Sequence, residues 1–128
     1  MSGTAARRGY LLVDHGSRRE EANALLERVA EALRARVDGV VCTAHLEIAA
    51  PDLADGIDAC VEQGVGELLV LPWFLGPGRH TARDIPSQLA AVRARHPSLR
   101  VRVAEPLGLH EKLLDVLLER AENALEVE

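Results

Sequence analysis

Four times over, the chain alternates a short aliphatic run with a longer stretch whose apolar residues recur at helical spacing. Few folds accommodate that pattern. Tyr10 to Asp14 is a short apolar run stopped by a turn, and reads as a strand. Arg19 to Val37 follows, with Ala22, Leu25, Leu26, Val29, Ala30 and Leu33 at helical intervals, and Asp38-Gly39 ends it. Val40 to Ile48, rich in β-branched and small residues, reads as a second strand. Ala50-Pro51-Asp52 opens a helix to about Gln63, and Gly64 closes it. Glu67 to Leu71, bounded by Pro72, is the third strand; Trp73 to His80, with Gly76-Pro77-Gly78, is a loop by composition. A helix is expected from about Asp84 to Arg95, with Pro86 in its first turn and His96-Pro97 as its stop. Arg100 to Ala104 is the fourth strand, Glu105 to Gly108 a loop, and His110 to about Leu125 the last helix.

Repeated strand–helix units with short connections give parallel strands and right-handed crossovers. The expected fold is α/β: one doubly wound four-stranded parallel sheet, order 2-1-3-4, with helices on both faces. A chain of 128 residues suits a single domain. Its ordered core is expected from about residue 9 to about residue 125, with frayed ends at Met1–Arg8 and Glu126–Glu128. Tyr10, Trp73 and Phe74 are the only aromatics, so the core is left to Leu, Val, Ile and Ala, as a covered parallel sheet requires.

Composition also narrows the partners. Sparse aromatics offer no base-stacking platform, and a net charge of -5 without a basic stripe gives no nucleic-acid footprint. The apolar runs are far shorter than a bilayer requires, and Tyr10-Leu11-Leu12-Val13 is too short for a signal-peptide core, which makes the cytoplasm the default compartment. Cys42 and Cys60 lack a CxxC spacing, and two buried thiols are the preferred reading.

In an open parallel sheet, ligands bind beyond the carboxyl ends of the strands where the strand order reverses. For order 2-1-3-4 that point lies between strands one and three. Asp14-His15-Gly16-Ser17-Arg18 follows the first, and the loop holding His80 follows the third, so each delivers one histidine to one crevice. Gly16 allows a sharp turn. Ser17 and Arg18 precede a helix start, which favours an anion, although Ser17 as a plain helix cap is the simpler reading. Glu47, near the end of strand two, can reach the same edge. Two imidazoles and a carboxylate with open positions suit divalent cobalt, iron or nickel, and a neutral imidazole is also a competent base near pH 7.

At these residues the sequence resembles the class II chelatases, in particular the small sirohydrochlorin cobaltochelatases and the related siroheme ferrochelatases. Val13-Asp14-His15-Gly16-Ser17-Arg18 looks like their first-strand motif. Pro72-Trp73-Phe74-Leu75, Gly78-Arg79-His80 and Asp84-Ile85-Pro86 look like their second. Leu46-Glu47-Ile48-Ala49 with Pro51, and Pro106-Leu107-Gly108 with His110, also match, so the resemblance runs from Tyr10 to Leu125. It implies insertion of a divalent metal, Co2+ foremost with Fe2+ or Ni2+ as alternatives, into sirohydrochlorin or a close tetrapyrrole relative bearing several carboxylates, as in cobalamin biosynthesis. His15, His80 and Glu47 would hold the metal and handle the pyrrole protons. Ser17, Arg18, Arg79 and Arg83 would meet peripheral carboxylates. The metal is substrate, and no organic cofactor is implied. A one-domain chain would pair with itself, so a homodimer with a shared cleft is expected.

His45 departs from the family pattern, standing where relatives generally carry an aromatic residue; it is either an extra metal contact or a change in the pocket. No His-rich tail of the kind found in nickel-handling relatives is present. Ferrous insertion for siroheme, and a metal or tetrapyrrole carrier without turnover, remain the rival functions. A phosphate-binding module has neither GxGxxG nor GxxxxGK[ST] to support it.

Overall fold

The computed structural model describes residues 7–76 and 81–127, with side chains for all of these except 81–84. The elements run β1 (Arg7–Asp14), α1 (Glu20–Arg34), β2 (Val40–His45), α2 (Leu53–Glu62), β3 (Val65–Pro72), α3 (Thr81–Arg95), β4 (Arg100–Val103) and α4 (Glu111–Glu122). The four strands form one parallel sheet in the order β2-β1-β3-β4, as the alternation predicts. The order reverses between β1 and β3, whose register brings Val13 opposite Pro72.

Strand alternation sorts the core into two layers. Leu11 and Val13 of β1, Val40 and Ala44 of β2, and Leu68 and Val70 of β3 face α2 and α3. There they meet Leu53, Ile57, Cys60, Ile85, Leu89 and Val92. Leu12 and Val41 face the other way, onto Leu26 and Ala30 of α1. Each fully buried leucine contributes roughly 1.5–3 kcal/mol by leaving water. Gly56 lets α2 lie close on the sheet: a Cβ there would stand 2.9 Å from Ala44 Cβ and 3.0 Å from Leu11 Cδ1. Asp52 caps α2 by accepting from the Asp55 N–H at 2.8 Å.

Several boundaries differ from the sequence reading. β1 begins at Arg7, because Arg7 and Arg8 pair with Val65 and Glu67 instead of fraying. β2 stops at His45, so Glu47 and Ile48 lie in a turn. α3 begins at Thr81, which places Pro86 beyond the first turn. Helices cover both faces as expected, α1 on one and α2 with α3 on the other, while α4 has no buried residue and packs on neither face of the sheet. On the α1 side, α1 reaches β3 at Leu71, and among the described residues no helix lies over β4. There Glu67 sits between Arg8 and Arg102 at 3.0 Å each, and hydrogen bonding from Arg102 holds its carboxyl below the usual range.

Both cysteines are free, Cys60 buried and Cys42 half-buried. The interaction between the two thiols draws Cys42 down, and with burial it pushes Cys60 up. No helix among the described residues is long and apolar enough to cross a membrane.

Candidate functional site

β1 delivers His15 one residue past its end, at the reversal of strand order. The Trp73 N–H donates to the Val13 carbonyl at 2.7 Å, so the loop after β3 leaves the sheet beside the His15 turn. The His15 ring is exposed and lies against Phe74, with centroids 4.5 Å apart and planes tilted by 30°. The first histidine therefore stands against the very loop that continues toward the second. His80 and Arg79 lie outside the described residues, as does the side chain of Arg83. Among the described residues no three His, Cys, Asp or Glu side chains gather in a metal-holding group.

The His15 turn is fastened from below. Asp14 Oδ1 accepts from the Gly16 N–H at 3.0 Å and from the buried His45 Nδ1–H at 2.5 Å. An ionised carboxylate is acceptor-only, which assigns the proton to the ring nitrogen. Past the ends of β1 and β2 the two chains stay zipped. The Leu46 N–H donates to the Asp14 carbonyl at 2.9 Å, and the Glu47 N–H to the His15 carbonyl at 3.1 Å. Glu47 is thus brought beside His15 through its backbone, and its side chain is exposed. Ile48 has φ 73°, a left-handed value costly for a β-branched residue, on the same turn.

Ser17 is not the cap of α1. That position is Arg19, which makes no side-chain cap. Ser17 Oγ accepts from the Arg19 N–H at 3.0 Å. Asn23, one turn into α1, accepts from the Ser17 N–H at 2.9 Å and donates to the Ser17 carbonyl at 2.7 Å. Glu20 and Glu21 in the first turn already answer the helix dipole, so an anion gains less there than the sequence suggests. Arg18 is exposed beside the crevice.

Sequence reasoning passed over Asp14 and Asn23. Asp two residues before Gly is the signature of a carboxylate that holds a turn N–H, a signal that was available. Asn23 gave none, because a polar residue in the first turns of a helix is ordinary. Elsewhere, His96 Nε2 pairs with Asp58 at 2.7 Å, and His110 caps α4 by accepting from the Lys112 N–H at 3.1 Å.

Comparison with known proteins bears on this geometry. The family model CbiX matches residues 9–124. A chloroplastic sirohydrochlorin ferrochelatase of Arabidopsis thaliana is 39% identical over 91% of this chain and 52% of its own length. A sirohydrochlorin cobaltochelatase of Sulfolobus acidocaldarius is 35% identical over 94% of both chains. Among solved structures, the sirohydrochlorin chelatase SirB of Bacillus subtilis subspecies spizizenii, in complex with cobalt, aligns with a TM-score of 0.85. It shares 30% identity over 91% of this chain and 50% of its own. The chain thus spans about half the length of the Arabidopsis and Bacillus proteins, and nearly the whole of the Sulfolobus one.

Proposed function

The chain belongs to the CbiX family, and on that premise we propose that it is a chelatase inserting a divalent metal, cobalt foremost, into sirohydrochlorin. One observation carries the reading: an exposed histidine at the strand-order reversal, braced on an aromatic ring of the loop that leads to the second histidine. The Sulfolobus cobaltochelatase, 35% identical over 94% of both chains, supports cobalt, and the Arabidopsis ferrochelatase, 39% identical, supports iron as the alternative.

In this mechanism His15 and His80 grip the entering ion on one face, as neutral imidazoles can. Metal entry displaces two pyrrole protons. One of the imidazoles takes the first proton as the nitrogen it leaves replaces that imidazole on the metal, Glu47 takes the second, and both then pass to solvent. Arg18, Arg79 and Arg83 pair with the peripheral carboxylates of the macrocycle. The test is anaerobic absorbance spectroscopy of sirohydrochlorin with Co2+, Fe2+ or Ni2+, with and without protein. Metallation faster than the spontaneous reaction, and fastest with Co2+, is expected. Binding without acceleration would make the protein a carrier, and faster iron insertion would make it a siroheme enzyme.

The same reading makes the working molecule a pair of identical chains. α4 leaves Leu114 46%, Leu117 64% and Leu118 64% exposed, next to Leu109 at 91%. Leu75, Leu109, Leu113, Leu114, Val116 and Leu117 line an apolar groove of about 310 Å³ along this helix. A second groove of about 270 Å³ opens between α1 and the uncovered edge of the sheet, at Leu33, Leu71, Trp73 and Leu107. Apolar surface this continuous supports pairing through α4. Leu117→Glu is expected to halve the mass seen by analytical ultracentrifugation at micromolar concentration. It weakens pairing by roughly two orders of magnitude, since it removes an apolar contact and buries a charge. An unchanged mass, or a single-chain mass for the unmodified protein, argues against pairing through α4.

A further inference from the structure

His45 is 3% exposed, yet it is not a silent core residue. Its ring donates to Asp14, the residue before His15, and its backbone N–H donates to the Pro51 carbonyl at 2.8 Å. It thereby spans the loop that carries Glu47, one end of which closes on Pro51. The same Asp14 oxygen holds the Gly16 N–H, the residue after His15. His45 and Gly16 therefore grip one carboxylate from the two strands whose ends bear His15 and Glu47. At Gly16 the fit is close: a Cβ would stand 3.2 Å from His45 Cβ. No other described contact ties the His15 turn to the side chains of β2.

Resting on the chelatase reading, we propose that His45 is a positioning residue. Acting through Asp14, it locks the His15 turn to the Glu47 turn and so fixes how His15 meets the metal. The 3% exposure of His45, against the exposed His15, favours this role over ligation through Nε2, and the asparagine rescue below separates the two. A ligand whose turn is held in place loses less freedom on binding, so loosening the lock is felt as weaker metal binding before it is felt as unfolding.

The experiment titrates Co2+ alone into the full-length protein, following ligand-field absorbance, for four forms: unmodified, His45→Phe, His45→Asn and Asp14→Asn. Phenylalanine fills the space without a donor. Asparagine puts an amide N–H where the imidazole Nδ1–H stands. Melting temperature and the KM for Co2+ are measured alongside. His45→Phe is expected to weaken Co2+ binding at least tenfold and raise KM in step, while His45→Asn restores both to within about threefold of the unmodified protein. Asp14→Asn is expected to match His45→Phe, and the double substitution to be no worse than either alone. Co2+ binding by His45→Phe equal to that of the unmodified protein overturns the proposal, as does failure of asparagine to rescue. Should His45→Phe not fold, the comparison of His45→Asn with Asp14→Asn decides: equal loss in both overturns it. Failure of the unmodified protein to bind Co2+ instead brings down the chelatase reading itself.

Discussion

Replacing His15 by alanine is expected to abolish metal insertion, with kcat falling by a factor of at least about 10² to 10³, while the melting temperature stays within about 2 °C. Two effects add on the side of activity. Loss of one of two imidazoles costs the incoming ion a ligand. Loss of a positioned base removes a step that such groups accelerate typically 10²–10⁴-fold. On the side of stability little changes, because the ring is exposed and its one described packing partner is Phe74. Surface substitutions of this kind shift stability by about 0.5 kcal/mol or less. His80→Ala is expected to behave alike, since the mechanism asks the same of both. The check is the Co2+ and sirohydrochlorin absorbance assay paired with thermal denaturation. Near-normal insertion by His15→Ala, in a protein that still melts normally, removes the two-histidine mechanism. A large fall in melting temperature shows instead that the ring is structural.

How much of this was legible beforehand differs by level. The sheet was legible because alternating periods of two and 3.6 residues are written into every unit. Leu11, Val13, Leu68 and Val70 are apolar for the same reason that they are central. The reversal point followed from topology, and with it the placement of His15. Element ends were less legible. Leu46-Glu47-Ile48 looks like a continuing strand by propensity, but the chain turns at His45 to hydrogen-bond the His15 turn and Pro51. Propensity lost there to a tertiary contact. The His45–Asp14 pair was invisible because each residue is unremarkable alone, and only the β1–β2 register sets them opposite. The partner of α4 was not legible for a different reason. An amphipathic helix has the same pattern whether its apolar stripe meets its own sheet or another chain, so periodicity assigns the stripe but not its partner.

Gly16→Ala is expected to be the most damaging alanine substitution among the glycines whose surroundings are described, lowering stability by about 3 kcal/mol or more and taking metal insertion with it. Gly16 has φ +89°, a value that costs any L-residue roughly 1–2 kcal/mol. A Cβ there would also lie 1.9 Å from the Glu47 carbonyl oxygen, a backbone atom that cannot swing aside. Relief requires the His15 and Glu47 turns to part, which breaks the bond from the Glu47 N–H to the His15 carbonyl and strains the Asp14 junction. Gly64 separates the two costs, because it has the same φ of +89° with nothing within 4 Å of its would-be Cβ. Gly64→Ala therefore carries the backbone term alone, about 1 kcal/mol, a melting shift of roughly 3–5 °C for a domain of this size. It leaves insertion intact. Urea denaturation of both variants, with the assay on each, measures the difference. If the two lose equal stability, or if Gly16→Ala still inserts metal at the normal rate, then the two turns are not held in contact as described, and the tight approach of Gly16 to Glu47 does not matter for the site.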